Sequence, residues 1–362
     1  MNILLELKKK VNNKMKRKIS DVYLFCLFLK RYLGKKNTEV YTGQSVWLDI
    51  HDNYERHIYT LSKYFEIEGY RVYLKPNFRF LFSMGDQYAK RILKEDKTHF
   101  SFTKPINAIA AFSDRKSGDN QFNFISKDYF STIFNKDSNV YHIPIGLHPN
   151  MYQKGYWNKP VSTSERKRFA FFAGDFNEVE YRKLNRKSKF KMLDRVSMMH
   201  LVQALPNAHF PKTYTELIDN AESGQIDIVN RAVFQVPEEA LRQTIAKYYF
   251  FIACPGFAMP LSHNVIEAMS VGTIPIIHWK YARMFHVELE DYRNAIIYDD
   301  HNFLDKLNEA SKISLEKAQT MCENVLNYYN ANLTPKAIVT HLVSKKHDTY
   351  FLKQRASIRI MK

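Results

Sequence analysis

Residues 248–277 read YYFFIACPGFAMPLSHNVIEAMSVGTIPII. The apolar and aromatic run Tyr248–Cys254 has the make-up of a buried strand, and Pro255-Gly256 opens a loop that lasts to Leu261. Ser262–Ser270 reads as a helix, Gly272 ends it tightly, and Thr273–Ile277 reads as a second strand. The loop therefore joins the C-terminal end of a strand to the start of a helix. That edge of an α/β sheet attracts anions, because the first N–H groups of a helix lack partners and carry partial positive charge. Ser262 is the natural N-cap. Glu267 falls on the middle turn, where it either reaches a ribose or sugar hydroxyl or faces solvent.

The same grammar extends in both directions. Arg168–Ala173 reads as a strand, Lys187–Leu205 as a long helix, Ala208–Phe210 as a short strand, and Glu238–Ala246 as a helix begun by Pro237. After the quoted stretch come a last strand at Asn294–Tyr298 and amphipathic helices at Asn302–Ala310 and Leu315–Tyr329. Pro335–Val343 reads as a final helix. Towards the N-terminus, Ser45–Ile50 (SVWLDI) reads as a strand. Tyr54–Glu66 follows with helical spacing of Ile58, Leu61 and Phe65, Gly69 stops it, and Tyr70–Leu74 is a second strand. Strand, helix, strand in that order implies parallel pairing. Ala89–Leu93 lies in a helical stretch, and Ala108–Phe112 and Val140–Ile143 are further strands. Ser117–Asn139 shows no period. His142–Gly146 with His148-Pro149 reads as the strand and exit loop that close a first domain, and the polar stretch Lys154–Glu165 as a hinge. A chain of 362 residues suits two domains. The expected division is a basic segment at 1–36, an acceptor domain at 37–160, a donor domain at 161–330 and a tail at 331–362.

Pro255-Gly256, Ser262, Glu267-Ala268 and Gly272-Thr273-Ile274-Pro275-Ile276-Ile277 together resemble the donor half of two-domain (GT-B) glycosyltransferases. They are most similar to the exostosin-like branch. Tyr281, Phe285 and Glu290-Asp291-Tyr292 resemble that branch's downstream signature, and Phe171-Phe172-Ala173-Gly174 with Arg182 and Leu184 its upstream one. Phe257 and Asn264 depart from it, standing where many relatives carry arginines. The resemblance implies an α/β fold of two Rossmann-like domains facing a cleft, with the tail crossing back to the first domain. It also implies transfer of a sugar from a nucleotide-sugar donor to a glycan or lipid-linked acceptor, in surface polysaccharide or lipopolysaccharide assembly. The expected donor-binding residues are Gly174, Arg182, Arg186, Pro255, Gly256, Ser262, His263, Asn264, Glu267, Gly272 and Thr273. Two rivals stay open: a sugar-nucleotide epimerase on the same fold, and a non-catalytic glycan- or nucleic-acid-binding protein.

Glycosyl transfer leaves negative charge on the departing diphosphate, so cations or N–H donors must surround it. Arg182 and Arg186, beyond the Gly174 loop, serve as diphosphate clamps or else join Lys183, Lys187 and Lys189 in a solvated basic patch. The sequence holds no Asp-x-Asp triplet. The expectation is metal independence, with no cofactor besides the nucleotide-sugar co-substrate. Asp299-Asp300 reads as a strand-exit turn. The acceptor hydroxyl needs a base, and His51 and Asp52, after the first strand, meet that demand. Alternatively Asp52 or Asn53 caps the next helix. His263, at a helix start, is placed to touch phosphate or acceptor, and structural roles are expected for His142 and His148.

Three separated cysteines, Cys26, Cys254 and Cys322, argue against a disulfide framework or zinc cluster and favour a reducing compartment. Cys254 reads as a small core residue. The formal charge is +17, and eleven basic residues against Glu6 and Asp21 precede Asn37. Within this frame lies Val22–Leu29 (VYLFCLFL), too short for a membrane span of about 20 residues and lacking a cleavage site. It is either an interfacial anchor, its lysines meeting anionic headgroups at about 1 kcal/mol each, or an ordinary buried helix. The first reading puts the protein in the cytoplasm, peripheral at the inner face of the membrane. No nucleic-acid motif organises the basic residues, so no specific nucleic-acid partner is expected.

Overall fold

The computed structural model describes residues 22–33, 43–51, 56–76, 87–95, 97–116, 122–130, 132–134, 136–137, 139–163, 166, 168–179, 181, 190–219, 224–256, 260–353 and 357. The contacts of the chain group into two units. The first comprises Met1–Tyr129, Asp137–Tyr141 and Ile338–Gln354; the second comprises Phe130–Lys136, His142–Ala337 and Arg355–Lys362. Lys154–Glu165 lies within the second unit.

The first unit contains α1 (residues 22–33), β1 (Ser45–Asp49), α2 (Arg56–Ile67), β2 (Arg71–Leu74), α3 (Gln87–Lys94), β3 (Thr98–Phe100), β4 (Ala108–Ser113), β5 (Asn123–Ser126) and β6 (Val140–His142). With the C-terminal strand Thr349–Phe351 these form a seven-stranded sheet ordered β3-β2-β1-β4-β5, then Thr349–Phe351, then β6. Strands β3 through Thr349–Phe351 run parallel. All five residues of β1 are buried: a central parallel strand is covered on both faces, which suits the apolar Val46-Trp47-Leu48 centre, while Ser45 and Asp49 at its ends are buried polar residues. Helix α1 packs through Leu24, Phe28 and Arg31, spaced four and three apart on one face. Phe28 meets Phe100 edge-on at 5.0 Å. The Arg31 guanidinium donates to the carbonyls of Ile92 and Leu93 at 2.5 and 2.7 Å and to that of Thr98. The buried-helix reading of residues 22–33 therefore holds, yet the opposite face leaves Val22, Tyr23, Phe25, Leu29 and Leu33 exposed. The basic residues before Val22 lie outside the described residues.

The second unit contains α4 (Pro149–Gln153), β7 (Arg168–Gly174), α5 (Arg195–Gln203), β8 (Ala208–His209), α6 (Tyr214–Asp219), β9 (Ile226–Asn230), α7 (Leu241–Ile245) and β10 (Tyr248–Ile252). It continues with α8 (His263–Met269), β11 (Ile274–His278), α9 (Trp279–Ala282), β12 (Ile296–Tyr298), α10 (Phe303–Ser311), α11 (Leu315–Asn332) and α12 (Pro335–Ser344), whose last turns belong to the first unit. The six-stranded sheet has the order β12-β11-β10-β7-β9-β8, and all its pairings are parallel. The two sheets, each flanked by helices from its crossovers, make this an α/β protein of two Rossmann-like units. Near the start of β9, buried Asp227 accepts the Tyr248 hydroxyl at 2.6 Å and lies 2.5 Å from His209 Nδ1.

Several elements differ from expectation. The helix expected over Lys187–Leu205 begins at Arg195, because the Asp194 carboxylate accepts the N–H groups of Val196 and Ser197 and so fixes the start there. The helix expected from Glu238 begins at Leu241. Strands β3, β5, β9 and Thr349–Phe351 were not anticipated. Most are three or four residues long, too short for alternation to register.

Candidate functional site

In an open parallel sheet, ligands bind outside the carboxyl ends of the strands, where the strand order reverses. In the second unit that point lies between neighbours β7 and β10. β7 ends at Gly174, and β10 runs out through Ala253, Cys254 and Pro255. Arg195, the first residue of α5, spans both exits. Its Nη1 donates to the Asp175 carbonyl and its Nη2 to the Pro255 carbonyl, each at 3.2 Å. The guanidinium lies 5.0 Å from the Phe172 ring centroid and 5.4 Å from that of Tyr181. A Cβ at position 174 would stand 2.9 Å from Arg195 Nη1 and 2.5 Å from the Phe172 ring, so only glycine leaves room here. Asn264 Nδ2 donates to the Ala173 carbonyl at 3.4 Å, drawing α8 onto the end of β7. Gly256 donates its N–H to Pro260 at 3.0 Å, folding the loop back on itself. Burial pushes the Cys254 thiol up to about 12, which makes it an inert core group.

Ser262 stands at the N-cap position, but its hydroxyl donates to Asn264 Oδ1 and makes no capping bond. Its own N–H donates to the Tyr281 hydroxyl at 2.6 Å. Helix α8 has only seven residues, so its dipole is a lesser source of positive charge than the sequence suggests.

Glu267 does not face solvent: it is 4% exposed. Its Oε1 accepts the backbone N–H of His148 at 3.1 Å. Burial raises its pKa to about 7, opposed by that N–H and by Arg231 and Arg242 and reinforced by Glu238. A carboxyl so placed holds its proton well above the usual carboxylate range. His263 Nδ1 lies 2.6 Å from the Gly146 carbonyl. A carbonyl only accepts, so Nδ1 bears the proton and Nε2 is the basic nitrogen of the neutral ring. His148 is the reverse: its Nδ1 accepts from Asn150 N–H at 3.3 Å, which puts its ring proton on Nε2. The two rings meet edge to face, 5.6 Å apart. Below them, Glu238 takes Asn150 Nδ2 at 2.5 Å and Lys154 Nζ at 2.6 Å, which fixes the α4 turn beside Glu267.

The first unit has its own switch point, between β1 and β4. His51 sits there, two residues beyond the end of β1. Its N–H donates to both carboxylate oxygens of Asp114, each 2.9 Å away. Its Nε2 lies 2.8 Å from Asp49 Oδ1. The alignment falls short of a hydrogen bond, and buried Oδ1 makes none. Lys75 holds the other oxygen at 2.9 Å. Asp49 was missed in the sequence, although its spacing of two from His51 in an extended segment puts both on one side.

Not all expected residues converge. Gly272 and Thr273 lie at the opposite edge of the second sheet, before β11. Gly272 has φ +73°, and a Cβ there would stand 2.8 Å from Leu326 and 3.1 Å from the Cys322 carbonyl. The buried Thr273 hydroxyl is spent on the Ile245 and Tyr248 carbonyls and on Arg166. Both are architectural residues rather than ligand contacts. His142 pairs through Nε2 with the Thr132 hydroxyl at 3.1 Å, as a structural histidine does. Asp300, read as a turn residue, holds buried His278 at 3.0 Å. Burial lowers the His278 pKa, and Asp300 opposes that shift. Asp52, Arg182, Arg186 and Phe257 lie outside the described residues. Arg195 was missed because the longer predicted helix buried its start; the Asp194-Arg195 pair opening an apolar run was the available signal. Among the described residues no cluster of three or more His, Cys, Asp or Glu side chains could hold a metal ion, and no helix is long and apolar enough to cross a membrane.

No protein-family model matches the chain, and no curated protein matches its sequence. Solved structures resemble it remotely. A glycosyltransferase from Rickettsia africae ESF-5 is 10% identical over 84% of this chain and 100% of its own, with a TM-score of 0.45. Anabaena Alr3699/HepE, solved with UDP and glucose, is 9% identical over 83% of this chain and 99% of its own, with a TM-score of 0.36. The N-terminal domain of Candida albicans trehalose-6-phosphate phosphatase is 11% identical over 88% and 75%, with a TM-score of 0.34.

Proposed function

We propose that this chain is a glycosyltransferase of the exostosin-like, GT-B kind, transferring a sugar from a nucleotide-sugar donor to a glycan or lipid-linked acceptor in surface polysaccharide or lipopolysaccharide assembly. The observation that carries the reading is the convergence at the switch point of the second unit. There Gly174, Arg195, Pro255 and Asn264 draw together the exits of β7 and β10, and buried Glu267 lies on the helix that follows. The donor diphosphate lies at those strand exits and Glu267 takes a donor hydroxyl. In the transfer, the bond from the anomeric carbon to the diphosphate oxygen breaks and a bond to the acceptor oxygen forms. The acceptor's proton passes to a base, for which His51 of the first unit, beside Asp49, is the candidate. The diphosphate leaves with charge compensated by arginine rather than by a metal. A peripheral contact with an anionic membrane through the N-terminal segment accords with its basic residues other than buried Arg31 and with the exposed apolar face of α1.

The test is a screen of UDP-, GDP- and CMP-sugars with the full-length chain, scored by thermal stabilisation and by release of nucleoside diphosphate or monophosphate. Stabilisation with slow hydrolysis of one donor is expected. Return of the epimeric nucleotide-sugar with no hydrolysis would favour an epimerase, and stabilisation by none of them would end the donor reading.

A further inference from the structure

The second unit buries Arg166 and Arg242 on its architectural side, and each is well satisfied. Arg166 donates to the Tyr248 carbonyl at 2.6 Å, the Thr273 hydroxyl at 2.9 Å and the Val271 carbonyl. Arg242 donates to Ser270 Oγ, Ser270 O, Tyr156 O and Lys159 O. Arg195 differs in place and in satisfaction. It lies at the carboxyl edge of the sheet and is 7% exposed. Of the five N–H groups of a guanidinium, two are used, both in bonds of 3.2 Å, and its buried Nε has no hydrogen-bond partner. The nearby carboxylates serve their own turns: Asp194 accepts from Val196 N–H, Ser197 N–H and the Ser197 hydroxyl, and Asp175 from Asn177 N–H. A buried cation without an acid partner is costly, and an anion arriving at the strand exits relieves that cost.

We propose that Arg195 is the residue that makes the second unit select a diphosphate: it sets the spacing of the β7 and β10 exits and supplies the positive charge between them. The proposal rests on the donor-site reading above. It assigns Gly174 its reason as well, since any side chain there would displace the guanidinium.

The experiment measures the affinities of UDP and uridine, and of TDP and thymidine, for the full-length chain by calorimetry in the wild type, Arg195→Met and Arg195→Lys. In Arg195→Met the preference for diphosphate over nucleoside should fall by about tenfold or more, the equivalent of one charge-assisted hydrogen bond. Nucleoside affinity should be little changed, and Arg195→Lys should recover part of the preference. A strut with no electrostatic part would lower both affinities together, and an unchanged preference in Arg195→Met overturns the proposal. If neither variant folds, the wild-type complex with UDP or TDP decides. A phosphate oxygen within hydrogen-bond reach of the Arg195 guanidinium supports the assignment, and phosphates bound elsewhere reject it. A wild-type chain that binds no nucleoside diphosphate brings down the donor reading itself, and this inference with it.

Discussion

At the scale of single residues, Glu267 couples the site to pH. Folded, it keeps its proton up to about pH 7, whereas an unburied glutamate gives it up near 4.5. Between those values the folded chain binds more protons than the unfolded one, so this residue's contribution to stability is full below about pH 4.5 and is lost as pH rises through 7. Glu267→Gln should flatten that slope, removing on the order of 3 kcal/mol of pH dependence, as denaturant titrations on either side of the transition would read. If the carboxylate takes a donor hydroxyl, nucleotide-sugar affinity should rise with pH through about 7 in the wild type and not in Glu267→Gln. Glu267→Ala should weaken donor binding by about 1.5–3 kcal/mol. Unaltered donor affinity in both variants would remove Glu267 from the site. In the first unit, His51→Ala should lower kcat by about a hundredfold or more, the usual share of general-base catalysis, and leave nucleotide affinity alone. Asp49→Asn should give a smaller loss of the same kind. A wild-type kcat in His51→Ala would mean that the base lies elsewhere.

At the scale of elements, α1 is both a core piece and an apolar outer surface. Deleting Met1–Lys36 removes Leu24, Phe28 and the Arg31 bonds to three carbonyls, so the truncated chain should melt lower or fail to stay soluble. Phe28→Ala alone should cost about 3–5 kcal/mol. The outward face is separable: Val22, 63% exposed, and Tyr23, 59% exposed, stand farthest from the packed side and can take charge there. The double variant Val22→Asp, Tyr23→Asp should keep the wild-type melting temperature but sediment less with anionic phosphatidylserine vesicles. Sedimentation equal to wild type would show that α1 does not meet the membrane. Elements of this length were legible when their period was long enough to see, as in α2, α11 and the strand–helix–strand run from β10 to β11. Residues 98–100 and 349–351 were not, because a three-residue strand is defined by the neighbour it pairs with and not by its own alternation.

At the scale of the whole molecule, the positive charge around the departing diphosphate is expected to come from the chain itself. Turnover and nucleotide binding by the full-length protein should therefore persist in EDTA. Loss of turnover that magnesium or manganese restores would replace arginine by a metal ion in the mechanism.

The sequence by itself determined what local chemistry can encode. Apolar runs, proline, glycine and cap residues placed β1, β10, α8 and β11, implied parallel α/β architecture, and pointed to Glu267 and His51 as residues near strand exits. Tertiary structure alone decided which of the candidates share a site. Gly272 and Thr273 are neighbours of Glu267 in the chain, yet the crossover carries them to the far edge of the sheet, while His148, 119 positions away, donates to its carboxylate. Arg195 reaches Pro255 across 60 positions. The raised pKa of Glu267 was equally out of reach of the sequence. Burial and charge spacing set it, and both depend on which distant segments pack against α8 and not on the residues beside it in the chain.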